Sequence, residues 1–345
     1  LLISAITQIV FLDFKEYAVI NCSVEIAKKL KIYHGLINSS LKKISENKKM
    51  LRQTKIEFND LPLWFQNKTK SLTKYEKYSF LENYVKEPNI HVVFKNEEKL
   101  KEFEEDIFKT SSVSGFLKIK KKIEEIESFK KGYWWIQDFS SFFPLHNLKI
   151  KNKKLKFLDT CAAPGGKSFQ LLSKKLNLVS NDISSSRIKT LKENLDRLNF
   201  NSKVVNKDFT QFNEDQKYDF IIVDAPCSAV GTIRKNPEIF FKNKTPDFEI
   251  LNSIQEKMLN KASLLLKSNG IILYMVCSFL KNETEDQINN FLSRKSNFEL
   301  YEFKLIKENI EYLKLIKKNF MHTLPDNIFN YNIDGYFAAY LKKII

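Results

Sequence analysis

Polar and apolar positions follow three successive patterns along the chain. Over residues 1 to about 50 the spacing is helical: Leu2, Ile6, Ile9 and Val10 share a face, as do Val19, Val24, Ile26, Ala27 and Leu30. Gly35–Ile44 predicts a further helix, and the polar, basic run Ser45–Met50 reads as its solvated end and a linker. From Pro62 to about Lys130 the signals are mixed: His91–Lys95 and Gly115–Ile119 predict strands, Lys99–Phe108 an amphipathic helix. From Leu155 onward strand and helix alternate, the signature of a doubly wound parallel sheet. Strands are predicted at Lys156–Asp159, Leu178–Asp182, Ser202–Asn206, Tyr218–Val223 and Ile271–Val276, with Asn297–Phe303 and Gly335–Leu341 closing the sheet. The intervening helices are Ser168–Lys175, Ser184–Leu198, Phe248–Leu266 and Glu283–Arg294. The expected organisation is a helical module over 1–60, a small α+β domain over 61–130, and an α/β domain over 131–345.

Composition narrows the class. Hydrophobic residues make up 43% of the 345, with 29 Phe and 13 Tyr, enough for sizeable cores and far from a disordered composition. Four scattered cysteines form no CxxC spacing, which predicts no disulfide framework, no bound metal and a reducing, cytoplasmic setting. No apolar run reaches the length of a membrane span, and no signal peptide is evident. The first residues are Leu-Leu-Ile rather than Met, so the natural start is expected further upstream. The net charge of +16 predicts a polyanionic partner, because Lys and Arg displace condensed counterions from phosphates. A compositional bias toward Lys, Asn, Ile and Phe is the alternative, and charge does not separate RNA from DNA. Lys118–Lys122 reads as a solvated face, and Trp134 and Trp135 as packing at a domain junction rather than a platform for bases.

Candidate chemistry gathers at strand ends. Asp159-Thr-Cys-Ala-Ala-Pro-Gly-Gly-Lys167 joins the first strand of the sheet to a helix and holds two of only eight glycines. Such a turn lets backbone approach a ligand and aims helix amides at it, although neither GxGxxG nor a Walker A spacing is present. Asp182 ends the second strand about twenty residues on, where an acid hydrogen-bonds ribose hydroxyls. Asp208 follows the third strand, suited to an adenine amino group, and Asp224 the fourth, beside a ligand's reactive end. Cys227 and Cys277 each follow a buried strand, so both thiols face the crevice where open sheets bind ligands. Two thiols on one rim point to covalent chemistry. The alternatives are small buried hydrophobes or a redox pair, the latter disfavoured by the lack of CxxC spacing.

These segments carry a resemblance. Cys161-Ala-Ala-Pro-Gly-Gly-Lys167, the run from Asp224-Ala-Pro-Cys to Arg-Lys-Asn-Pro237, and Val276-Cys-Ser-Phe-Leu-Lys-Asn-Glu283 resemble the motifs of Sun-type RNA cytosine-C5 methyltransferases. Ala18–Ala27 with Gly35–Leu41 resembles the NusB-like domain fused to the bacterial RsmB branch, which acts on small-subunit ribosomal RNA. Trp135-Ile-Gln-Asp138 and Asp334-Gly-Tyr-Phe-Ala338 look like the same branch. The resemblance implies a Rossmann-like class I methyltransferase sheet and S-adenosylmethionine as cofactor. Cys161, Ala162, Ala163, Pro164, Gly165, Gly166 and Lys167 would cradle its methionine part, Asp182 its ribose and Asp208 its adenine. Asp224 would hold or protonate N3 of the base.

The chemistry implied starts from the poor nucleophilicity of cytosine C5. A thiolate adds to C6, C5 takes the methyl group, a proton leaves C5, and elimination frees the enzyme. The family's nucleophile matches Cys277, and Cys227 assists release. DNA cytosine methyltransferases use the cysteine of a Pro-Cys motif instead, so placement alone leaves the two roles open. Two departures stand out. Val276 occupies a position where the family usually has Thr, and the resemblance leads one to expect a truncated NusB-like region, without its first helices. The expected partner is small-subunit ribosomal RNA, bound by a monomer. A tRNA cytosine methyltransferase and a non-catalytic RNA-binding assembly factor are the alternatives.

Overall fold

The computed structural model describes residues 1–344 apart from 120, 149, 151, 243 and 303–309. It divides into two compact units, Leu1–Asp60 and Leu61–Ile345.

The first unit is helical, with helices Leu2–Val10, Glu16–Lys29, His34–Glu46 and Lys48–Gln53. Ala5, Ile9, Val10, Val19, Ile20, Ala27, Ile37 and Leu41 form its buried core. Ile26 and Leu30 are exposed, because the stripe through Val19, Ser23 and Ala27 leaves the neighbouring row to solvent. The predicted linker after Ile44 continues instead into the fourth helix, which has no buried residue.

The second unit contains two main sheets. Strands β1 (His91–Phe94), β2 (Ile107–Ser111), β3 (Ser114–Leu117) and β4 (Trp134–Ile136) form a four-stranded sheet in the order β2-β3-β1-β4. The helix predicted over Lys99–Phe108 is a correction. A short helix, Glu97–Lys101, is capped by Asn96, and Ile107 and Phe108 leave it to pair with Leu117 and Phe116. Cross-strand pairing outweighs local helical spacing there. The sheet also runs past residue 130, since β1 pairs on its other edge with β4. Trp134 and Trp135 are almost fully buried and belong to hydrophobic cores.

The large sheet is built from β5 (Lys156–Asp159), β6 (Asn177–Asn181), β7 (Lys203–Val205), β8 (Tyr218–Asp224), β9 (Leu266–Val276), β10 (Phe298–Tyr301), β11 (Ile316–Lys317) and β12 (Phe320–Thr323). A hairpin of β13 (Asp326–Ile328) and β14 (Tyr331–Ile333) stands apart, and β15 (Tyr336–Lys343) completes the large sheet. Its order is β7-β6-β5-β8-β9-β15, with β12 and β10 on the far side of β15. Neighbours from β7 to β9 are parallel, and β15 is antiparallel to β9. Residue 303 of the predicted strand Asn297–Phe303 lies outside the described residues. β11 and β12 carry no alternation strong enough to be read from sequence.

Helices Gly166–Ser173, Ser185–Arg197, Phe248–Leu265 and Glu285–Arg294 intervene between strands. Alternate residues of each central strand enter separate cores: Phe157, Phe220, Ile222, Leu273 and Met275 in one, Leu158, Ile221, Val223, Ile272 and Tyr274 in the other. Burial on both faces explains why these strands read as continuous apolar runs. The result is a Rossmann-like α/β sheet. Its order reverses at β5, which opens a crevice between the carboxyl ends of β5 and β8.

Candidate active site

The loop after β5 builds one wall of that crevice. Gly165 has φ +124°, and a Cβ there would meet the Phe169 ring at 1.9 Å, so only glycine lets the chain turn into helix Gly166–Ser173. Asp182, almost fully buried at the end of β6, braces the loop: Oδ2 accepts from the Ala163 amide at 3.2 Å and Oδ1 from the Ser184 amide at 3.0 Å. The Arg187 guanidinium donates to the Ala163 carbonyl and lies 3.6 Å from the Asp182 carboxylate.

The crevice widens into a cleft of about 920 Å³. On its floor Asp224 Oδ2 accepts from Lys167 Nζ at 2.7 Å and Oδ1 from the Tyr336 hydroxyl at 3.1 Å. Sheet register explains the meeting: Asp224 lies opposite Met275, and Val276 opposite Phe337, so Asp224, Cys277 and Tyr336 emerge at one level from adjacent strands. Burial disfavours the Lys167 ammonium, but the Asp224 carboxylate outweighs it and raises the lysine above its ordinary value. The charges of Asp159 and Cys277 act on it in the same direction.

Cys227 and Cys277 bring their Sγ atoms to 3.4 Å, and both are free thiols. The hydrogen bond with Cys277, followed by burial, pushes the Cys227 thiol well up, and the Glu283 charge adds to the effect. Burial, with Asp224, Asp159 and Asp182 nearby, pushes the Cys161 thiol up to about 12. Burial also raises Asp159 to about 6, against the hydrogen bond from Ser168. Val276 is fully buried in the core that also contains Tyr274 and Phe337, on the face of the sheet opposite Met275.

The opposite wall is an ion network. Lys235 Nζ lies 2.7 Å from Asp138 and 2.6 Å from Asp334, and Arg234 lies 3.2 Å from Asp334. Burial opposes ionisation of Asp138, but Lys235 prevails and holds it at about 2, whereas burial leaves Asp334 raised to about 6. Asp138, Lys235, Asp334 and Tyr336 all line the cleft, and none was singled out from sequence as a site residue. The available signal was their position inside the quoted motifs.

Of the residues that were singled out, Cys161, Ala162, Ala163, Pro164, Gly166, Lys167, Asp224 and Cys277 line this one cleft. Cys227 reaches it through its contact with Cys277. Gly165 and Asp182 shape the wall from behind. Asp208 stands apart from the lining residues and caps its own turn, accepting from the Thr210 amide at 2.9 Å and the Thr210 hydroxyl at 2.8 Å. The cleft thus joins a thiol pair, a carboxylate clamped between an ammonium and a phenol, and a backbone loop that can cradle a nucleoside-sized ligand.

Residues 145–342 match the family model for 16S rRNA methyltransferase RsmB/F. Ribosomal RNA small subunit methyltransferase B of Photorhabdus laumondii is 38% identical over 180 residues, 51% of this chain and 42% of that protein. The probable methyltransferase of the same name from Coxiella burnetii is 28% identical over 325 residues, 87% of this chain and 75% of that one. The match spans about half or less of the relatives from Photorhabdus laumondii (42%), Shewanella oneidensis (43%) and Pasteurella multocida (50%). In fold, the chain superposes on the crystal structure of PH0851 with a TM-score of 0.77 at 22% identity, covering 98% of this chain and 80% of the other.

Proposed function

This chain belongs to the 16S rRNA methyltransferase RsmB/F family, and from that premise we propose that it methylates C5 of a cytosine in small-subunit ribosomal RNA through a transient Cys277 adduct. The observation that carries the reading is the thiol pair, 3.4 Å apart, on the same rim as the doubly held Asp224. S-adenosylmethionine would be held along the wall built by the loop after β5. The loop Cys161–Lys167 would take its amino-acid part and the neighbourhood of Asp182 its ribose, with Asp208 reserved for the adenine. When bound it supplies an electrophilic methyl group.

Each residue then has a task. Cys277 attacks C6 as the thiolate, forming a C–S bond while the C5–C6 π pair shifts toward C5. A proton shared between the Asp224 carboxyl group and N3 offsets the charge that the addition puts on the ring, and the Lys167 ammonium balances charge on the carboxylate and on sulfur. Cys227 begins as a neutral thiol, because its contact with Cys277 and its burial hold it so. Once Cys277 is bound as a thioether, the largest cause of that elevation is gone. Cys227 then gives up its own proton to solvent and, as the thiolate, takes the C5 proton. The C–H pair rebuilds the C5–C6 double bond and expels Cys277 as thiolate.

Cysteine replacement tests the roles. With RNA and S-adenosylmethionine, Cys227→Ala should accumulate a covalent RNA–protein adduct on a denaturing gel and Cys277→Ala none. The reverse pattern exchanges the roles; no adduct together with no methyl transfer by the unmodified chain favours an assembly factor. Bisulfite sequencing of ribosomal and transfer RNA, with and without the gene, identifies the substrate.

A further inference from the structure

Glu283 has no part in the chemistry above, yet it is the most heavily bonded carboxylate near the cleft. It is fully buried in the turn Lys281–Glu283 that follows β9. Oε1 accepts from the Ser228 amide at 2.8 Å and from Gln255 Nε2 at 3.4 Å. Oε2 accepts from the Ser228 hydroxyl at 2.5 Å and the Ser278 hydroxyl at 2.6 Å. Its backbone carbonyl accepts from the Tyr274 hydroxyl at 2.8 Å. Ser228 directly follows Cys227, and Ser278 directly follows Cys277. One carboxylate therefore grips both cysteine-bearing loops at the residue next to each sulfur. Hydrogen bonds to a carboxylate are short and strong, and in a buried site of low dielectric they hold their geometry.

We propose that Glu283 is the positioning residue of the thiol pair: bonded through Ser228 and Ser278, its carboxylate sets the distance between the Cys227 and Cys277 sulfurs. Without it, the loops after β8 and β9 would be joined near the thiols by the Gly231 amide on the Cys277 carbonyl, at 3.1 Å, and by the longer contact between the Ser228 and Ser278 hydroxyls, at 3.4 Å. The consequence for catalysis rests on the function proposed above. The consequence for sulfur separation does not.

The test uses phenylarsine oxide on the full chain without RNA. This reagent condenses with two adjacent thiols: two As–S bonds form, and the thiol protons leave with the arsenic-bound oxygen as water. Protection of Cys227 and Cys277 from later maleimide labelling, mapped by peptide mass spectrometry, reports bridging. Exposed Cys22 is the internal control. Glu283→Gln keeps the side chain's size but removes its charge, and should raise the arsenical concentration for half-protection roughly tenfold or more. It should also lower kcat for methyl transfer and leave KM for RNA unchanged. An unchanged half-protecting concentration in a folded Glu283→Gln protein, checked by circular dichroism, overturns the proposal. If that variant does not fold, Ser278→Ala decides on the same criterion: weaker bridging sustains the proposal and unchanged bridging ends it. Bridging that responds in a chain showing no methyl transfer would leave Glu283 as positioning residue and count against the proposed reaction alone.

Discussion

Asp224 has both carboxylate oxygens engaged, by Lys167 at 2.7 Å and Tyr336 at 3.1 Å, and this fixes its orientation toward the cleft. Tyr336→Phe removes the neutral contact and should lower kcat roughly tenfold with KM for RNA unchanged. Lys167→Met removes the cation and leaves the carboxylate's charge unbalanced, so its kcat should fall by roughly 10² to 10³. Single-turnover methyl transfer measures both, and equal losses in the two variants would mean that the cation has no electrostatic role. Lys167, Asp224 and the cysteines were legible in the sequence because each sits in a short motif at a strand end. Tyr336 was not. It lies 112 residues beyond Asp224, and only the antiparallel register of β15 beside β9 places its hydroxyl there.

Among the elements, β5 ends in a carboxylic acid, Asp159, that is fully buried. Burial raises its folded pKa from 3.8 to about 6. A raised pKa means that folding favours the protonated form. The contribution to stability is therefore present in full below the unfolded value and is lost as pH rises through about 6. Asp159→Asn does not titrate, so its stability relative to the parent should improve by about 2 kcal/mol between about pH 4 and about pH 8. Thermal unfolding of both proteins across that range checks it, and a constant gap would remove Asp159 as the cause. Close packing also governs the loop after β8. A Cβ on Gly231 would lie 1.8 Å from the Gly335 carbonyl oxygen, so the two loops touch backbone to backbone. Element positions on the large sheet followed from apolar runs, whereas Lys99–Phe108 did not, because its helical spacing competes with a hairpin partner that becomes visible only in the fold.

For the molecule as a whole, charge is the dominant surface property, at +16 over 345 residues. Among the described residues no helix is long and apolar enough to cross a membrane. If the charge serves RNA binding, affinity should fall by roughly a thousandfold or more between roughly 50 and 200 mM salt, as for about six or more phosphate contacts. Fluorescence anisotropy with a labelled ribosomal RNA fragment measures the slope, and salt-insensitive binding would reject a phosphate-led interface. The sequence by itself determined the α/β class, the strand ends that carry chemistry and the glycine-bearing turn, since alternation and turn geometry are local properties of a chain. The tertiary structure alone decided which side chains meet: two sulfurs fifty residues apart at 3.4 Å, Tyr336 on Asp224, and Glu283 between two loops. Those contacts depend on hydrogen-bond register between strands distant in sequence, and no local pattern encodes that register.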